Sequence, residues 1–358
     1  MLLTGMLAAT TNAQWSVTIL NPAGATDSYA FGVNNGQQVG YAQLGNQNHA
    51  SLWSGTAASW RDLNPAGAAG SYSTGVSGNV QAGYACVDDD CKSYHAGLWT
   101  GSAASWVDIN PTGAISSVAL GIDGMQQVGS VLIGTQAHAS LWNGTPASWV
   151  DLNPADVSDS SARNVYGGLQ VGSANVAGQY HASLWSGSAS SWIDLNPVGA
   201  RESEALGVFG NQQVGYAYFG GPSHAILWNA SADSWVDLNP AGVGESHALG
   251  MFGGQQVGYV YIGGHSHASL WSGTANSWVD LSVFLPSDSQ YSSVAQSIWS
   301  DANFSYVAGY GSNLATGLKD AFLWSLPIPE PACGLLLLFP VLAYRRRRID
   351  HYRQVRAS

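Results

Sequence analysis

Charge is what this chain has least of. Only 9% of its 358 residues are charged, against roughly 25% in an ordinary soluble domain. Cations are scarcer still. Before Pro327 the basic side chains are Arg61, Lys92, Arg163, Arg201 and Lys319 alone, set against 20 carboxylates, which leaves the body near −15. A body of that charge has no basic patch to hold phosphate, which argues against a nucleic-acid partner. Two catalytic signatures are also missing: the Gly-x-Ser-x-Gly nucleophile elbow and the His-Glu-x-x-His zinc motif. Aromatic residues are not scarce, with 15 Trp and 16 Tyr beside 44 Gly. Disordered chains are poor in aromatics and rich in charge, so this composition points instead to short strands joined by glycine turns.

The chain says nearly the same thing seven times. His49-Ala-Ser-Leu-Trp53 returns with small changes at His95–Trp99, His138–Trp142, His181–Trp185, His224–Trp228 and His267–Trp271. A decayed seventh copy, Asp320–Trp324, ends the series. The histidines are spaced 46, 43, 43, 43 and 43 residues apart, and 53 separate His267 from Asp320. A fixed period of this size marks stacked supersecondary units.

The fifth copy parses as four strands. Glu204–Phe209 is the first and Gln212–Phe219 the second, with Gly210-Asn211 turning between them. His224–Trp228 is the third and Ser234–Leu238 the fourth, ended by Asn239-Pro240. Proline lacks the N–H that a ladder needs and so ends a strand there. The segment Gly36-Gln-Gln-Val-Gly40 recurs at Gly124–Gly129, Asn211–Gly215 and Gly254–Gly258. Its leading position supplies turn dihedrals, a role Asn tolerates in the fifth copy, and its last glycine permits close backbone approach. No helix follows these glycines, so they do not form a phosphate cradle. Four strands without a helix-period segment match one propeller blade. The two tryptophans of each repeat are expected to fill the layers between blades. Each buries ~200 Å² or more, a gross gain of several kcal/mol.

The fourth-strand unit follows only six of the seven third strands, around Trp60, Trp106, Trp149, Trp192, Trp235 and Trp278. The missing copy stands at the other end, as Trp15–Pro22. That offset is what ring closure requires, since an N-terminal strand can complete the sheet begun by residues 290–324. The expected fold is therefore an all-β, seven-bladed propeller of four-stranded blades over residues 14–326, favoured over an open solenoid. A short apolar C-terminal helix is expected outside the ring.

The two ends read as addresses. Residues 1–13 resemble a signal peptide without its basic leader, with small residues Thr11 and Ala13 before Gln14. At the other end Pro329-Glu330-Pro331 precedes the uncharged run Ala332–Tyr344, then Arg345, Arg346, Arg347 and Arg348, with a polar tail over 349–358. Thirteen uncharged residues span about 20 Å as a helix, less than the roughly 30 Å hydrocarbon core. This order over residues 327–348 resembles the PEP-CTERM sorting signal of bacteria. It departs from that signal in its short apolar run and in the ten residues after the arginines. The resemblance implies export, a transmembrane helix that anchors the chain transiently, an exosortase-like membrane protease as partner, and a cell-surface or extracellular location. Cys86 and Cys91 flank an insertion that accounts for the 46-residue spacing. In an exported protein they are expected to form a disulfide. Asp88–Asp90 lack the interleaved ligands of a calcium loop.

The repeat itself resembles the HAF-type extracellular repeats, which carry a Gly-Gln-Val-Val-Gly-like segment, then His-Ala-Phe-Leu-Trp, then Asp-Leu. His181–Trp185 and Asp194-Leu195 occupy those places, with Ser in most copies where the family has Phe. The resemblance spans residues 15–324 and implies a secreted repeat protein without assigning an activity.

Residues repeated in every blade are expected to maintain the blade. His49, His95, His138, His181, His224 and His267 would lie at equivalent radii, too far apart to share a metal. The aspartates Asp62, Asp108, Asp151, Asp194, Asp237 and Asp280 read the same way, as do Trp53, Trp99, Trp142, Trp185, Trp228, Trp271 and Trp324. Neither a catalytic residue, a cofactor nor a metal is implied. A site would have to break the symmetry, which leaves Asp123, Glu202, Glu204, Glu245, His247 and His265 as candidates. The expected function is an exported, non-catalytic binding or scaffolding protein that engages polysaccharide or a surface protein through its loops. Exposed loop aromatics such as Tyr261 or Tyr291 would mark a lectin-like version. The alternative is a propeller glycoside hydrolase or polysaccharide lyase, which needs two carboxylates converging in one pocket.

Overall fold

The computed structural model describes residues 14–88, 90–286 and 290–329. They form seven antiparallel sheets of four strands each, set around a channel to which every blade contributes. Blade seven is composite. Its strands Tyr291–Ser300, Phe304–Asn313 and Lys319–Pro327 take as their fourth partner β1 (Ser16–Ile19), with Ser16 opposite Ser325 and Ile19 opposite Phe322. The ring is thus a seven-bladed propeller closed by the N-terminal strand, as the offset of the repeat units requires.

Blade one shows the pattern. From channel to rim it holds β2 (Ser28–Asn34), β3 (Gln37–Leu44), β4 (Gln47–Trp53) and β5 (Arg61–Asp62). A bulge between Ala30 and Gly32 bends β2, and Gly40 stands opposite Ala30. A Cβ at Gly40 would lie 1.8 Å from the carbonyl oxygen of Tyr29, so no other residue fits there. The turn before it is as expected in blade one, where Gly36 takes a φ of 73°, and departs in blade five. In blade five Gly210, not Asn211, takes the positive φ of 57°. A two-residue hairpin of this kind places its glycine at the first central position.

The rim strands are shorter than expected. In blade five only Val236–Asp237 joins the ladder, because the turn before it curls back on itself. In blade one Ser59 Oγ accepts the N–H of Ser54 at 2.8 Å and donates to the carbonyl of Thr56 at 2.6 Å. That closure uses residues which could otherwise have extended β5. Here Ser/Thr chemistry competes with the ladder and wins.

The two tryptophans of each repeat part ways. Trp53, Trp99, Trp142, Trp185, Trp228, Trp271 and Trp324 are all fully buried between blades. Trp99 of blade two, for example, packs with Val39, Leu52 and Leu63 of blade one. The second set is only partly buried at the rim. There Trp60 Nε1 donates to Ser51 Oγ at 2.8 Å, as Trp149, Trp192 and Trp278 do to their own serines. A buried glutamine holds the turn above: Gln38 Oε1 accepts the N–H of Gly55 at 2.7 Å.

The expected transmembrane anchor is corrected. Among the described residues no helix is long and apolar enough to cross a membrane. The segment 332–344 lies outside the described residues, as do residues 1–13, Glu330, Pro331 and Arg345–Arg348.

Candidate functional site

The repeated polar residues form one structural relay. His49 Nδ1 lies 2.8 Å from Asp62 Oδ2, and Asp62 Oδ1 accepts the N–H of Asn64. Asn64 Oδ1 accepts from Ser71 Oγ, which itself accepts the buried N–H of Ala50 at 2.9 Å. Ser71 belongs to blade two and Ala50 to blade one, so the relay clips neighbouring blades together. The His–Asp contact recurs at 2.6–3.0 Å for His95, His138, His181, His224 and His267. With these side chains occupied, chemistry has to come from elsewhere.

One variant of the relay imitates a catalytic triad. In blade six Ser282 replaces the asparagine, and its Oγ lies 3.0 Å from His267 Nδ1 while Asp280 Oδ2 lies 3.0 Å from the same nitrogen. A triad needs serine on Nε2 and the carboxylate on Nδ1, so that the ring passes a proton between them. Here both compete for one nitrogen, and Ser282 also donates to Asp280 Oδ1 at 2.5 Å. The arrangement is a cap on the connection and cannot activate a nucleophile.

The two faces of the ring differ. One carries the turns that link the first strand of each blade to the second and the third to the rim. At that end the channel narrows to a cavity of about 160 Å³, where Asp123 enters the lining. Its Oδ2 accepts the N–H of Gly167 at 2.8 Å, so Asp123 secures a hairpin. The other face carries the connections between blades, and there the channel mouth is ringed by facing pairs from the two inner strands. Tyr29 faces Tyr41, Tyr72 faces Tyr84, Glu204 faces Tyr216, His247 faces Tyr259 and Val294 faces Tyr310. The rings touch from blade to blade: Tyr310 to Tyr29 at 4.7 Å, Tyr41 to Tyr72 at 5.1 Å and Tyr216 to His247 at 4.1 Å between centroids.

This aromatic belt has a gap. Blades three and four place Val118 against Ser130 and Ser161 against Ser173. Where the rings stop, a cavity of about 350 Å³ opens, lined by Ser161, Arg163 and Ser173 of blade four and Glu202, Glu204 and Tyr216 of blade five. Arg163 Nε donates to Glu204 Oε1 at 2.7 Å, and Tyr216 Oη donates to Glu204 Oε2 at 3.2 Å. Burial, reinforced by the Glu204 charge, pushes the Tyr216 phenol up to about 12 and keeps it a donor. Tyr180, 47% exposed, stands on the cavity wall.

Behind Tyr216 sits His247, its Nε2 2.7 Å from Ser223 Oγ. Burial pushes its imidazole down to about 4, a fall that Glu204 partly opposes. Glu245 is separate: it pairs with Tyr259 Oη at 3.5 Å and lies 3.8 Å from His247, outside the cavity lining. His265 lines another cavity of about 450 Å³ with Tyr291 and Leu285. Of the six symmetry-breaking candidates, Glu202 and Glu204 share one cavity, His247 and Glu245 meet behind its Tyr216 wall, and Asp123 and His265 lie apart. Arg163, Ser161, Ser173 and Tyr180 had not been singled out. The signal for Ser173 lies in comparing the seven repeats column by column, where Ser130 and Ser173 stand in a column that is tyrosine in the other five blades.

Two carboxylates in one cavity raise the glycosidase alternative. Glu202 and Glu204 are alternate residues of one strand, Glu202–Phe209, ~7 Å apart along the backbone and reaching from the same side. A glycosidase pair flanks the scissile bond, and both oxygens of Glu204 are already engaged. Cys86 and Cys91 are disulfide-bonded in the insertion on this same face. Among the described residues no group of three His, Cys, Asp or Glu is placed to hold a metal ion.

No family model and no curated protein matches the sequence. Solved structures share the fold at low identity. The propeller domain of the Trilobed protease from Pyrococcus furiosus matches with a TM-score of 0.52 and 9% identity over 87% of this chain and 99% of that one. Its ring has an open velcro topology, whereas here β1 closes blade seven. Acylaminoacyl peptidase from Pyrococcus horikoshii gives a TM-score of 0.54 at 10% identity, over 88% of this chain and 54% of the peptidase. TolB from Acinetobacter baumannii gives 0.45 at 11% identity, over 87% of this chain and 66% of that one. At such identities the likeness to the two structures with TM-scores above 0.5 supports the β-propeller fold alone and leaves ligand and activity to the site itself.

Proposed function

We propose that this chain is a non-catalytic, lectin-like propeller that binds polysaccharide on the face carrying the inter-blade connections. One observation carries the reading. Five blades place rings at the channel mouth, blades three and four place none, and a cavity lined with hydrogen-bonding groups opens where the rings stop. Its volume of about 350 Å³ falls at the small end of the ~300–1,000 Å³ typical of ligand sites. Tyr180 and Tyr261, 47% and 45% exposed on this face, supply the ring surfaces on which sugars stack.

A glycan array probed with the full chain tests the reading, with Ser173→Tyr as the partner variant that extends the belt and fills the cavity. Binding that the variant loses supports it. Binding that survives the filled cavity, or an array on which nothing is retained, overturns it. Cleavage is the second reading, favoured by the shared cavity of Glu202 and Glu204. Shortened products released from a bound polysaccharide would decide for it.

A further inference from the structure

We infer that the cavity between blades four and five selects glycans bearing free amines, that is, protonated amino sugars. The inference rests on the polysaccharide-binding reading and concerns the charge its ligand carries. Three carboxylates line the cavity, Asp159, Glu202 and Glu204, against one cation, Arg163. The guanidinium is matched to Glu204. Asp159 Oδ1 takes the N–H of Ala137 at 3.1 Å, which leaves its charge uncompensated. The Glu202 carboxylate makes no hydrogen bond or ion pair among the described residues, and Arg201 beside it does not enter the lining. The cavity therefore holds two more negative charges than positive ones.

A uronic acid or sulfated sugar would meet that field as a like charge, inside a body that is itself strongly acidic. A neutral sugar would gain the ring contact with Tyr180 but would leave the Glu202 carboxylate without a charged partner. An ammonium-bearing sugar satisfies both. Its N–H groups donate to Glu202, a charge-assisted bond stronger than a neutral one. Its cationic edge also suits the face of an exposed tyrosine. The serines at Ser161 and Ser173 are what make the room, since a tyrosine ring in either column would occupy it. The geometry thus assigns Glu202 the choice of ligand charge and Tyr180 the stacking surface.

The test is calorimetric titration of the full chain with β-linked glucosamine oligomers and their N-acetylated counterparts, at slightly acidic pH. The free-amine oligomer is expected to bind roughly tenfold more tightly, and added salt should narrow the gap. Glu202→Gln, nearly isosteric and partly exposed, should erase that preference. Tyr180→Ala should weaken both oligomers together and stands as the second variant if Glu202→Gln does not fold. Equal affinity for the two oligomers, or a preference that Glu202→Gln leaves unchanged, overturns the inference. If the acetylated oligomer binds equally and Ser173→Tyr abolishes that binding, only the charge assignment falls. If neither oligomer nor any other glycan binds, the polysaccharide reading falls with it.

Discussion

The hydroxyl of Ser28 accepts the backbone N–H of Ala321 at 2.9 Å, across 293 positions of sequence. It is the contact that Ser71 makes with Ala50 at the first junction, repeated at the seventh, where the last blade meets the first. Ser28→Ala leaves a buried N–H without a partner, which costs about 1–3 kcal/mol. Chemical denaturation should register that loss, and Ser71→Ala should lose a similar amount. A much smaller effect at Ser28 would mean that the junction between blades seven and one contributes less than the junction between blades one and two.

A second expectation concerns Gly40. Its Cβ-free backbone lies against Tyr29, and an added methyl would sit 1.8 Å from that carbonyl. Gly40→Ala should displace the strand pair and cost roughly 3 kcal/mol or more, at the upper end of single-substitution effects. Gly244→Ala is the control, because nothing lies within 4 Å of its added Cβ. Its melting temperature should stay at the wild-type value.

How far the sequence revealed this molecule follows from which residues repeat. The His49–Trp53 strand and the Gly36–Gly40 segment recur at a fixed period, and the displaced copy at Trp15–Pro22 announced closure of the ring. Strand lengths at the rim were less legible. There Ser59 turns its side chain to the backbone, and an apolar-polar pattern does not show which competing hydrogen bond prevails. The shared cavity was hidden for a different reason. Arg163 and Glu204 stand 41 positions apart and meet only because successive blades are neighbours in the ring. The gap itself is made by Ser161 and Ser173, residues that invite no notice until Tyr29, Tyr72 and Glu204 are seen to occupy equivalent places in other blades.

The disulfide between Cys86 and Cys91 closes a short loop, with five positions separating the two cysteines. Loop-closure entropy gives so short a ring roughly 2 kcal/mol at most. The insertion projects from blade two, outside the inter-blade layers. Reduction should therefore lower the melting temperature by only a few degrees and open the insertion to limited proteolysis while the rest of the ring stays resistant. Cooperative unfolding on reduction would overturn this assignment.

The last expectation is a pH dependence seated at His247. The ring is stacked between Tyr216 and Tyr259, with centroids 4.1 and 4.9 Å away, and its Nε2 contacts Ser223 Oγ. Burial lowers its pKa from 6.5 to about 4. Between those values the unfolded chain binds a proton that the folded chain refuses. Stability contributed by the neutral ring is therefore complete above pH 6.5 and declines as the pH falls toward 4, by roughly 3 kcal/mol in all. Glu204 softens the fall by favouring the cation, and Glu245 also faces the ring, 3.8 Å from Nε2. Other groups titrate in the same window, so the quantity to measure is the difference between wild type and His247→Phe. The denaturation midpoint of wild type should fall relative to that of His247→Phe from pH 7 to pH 4 if the neutral imidazole is what the folded ring prefers. Curves that stay parallel throughout would show that His247 accepts its proton without cost, and that the wall behind the cavity is open to water.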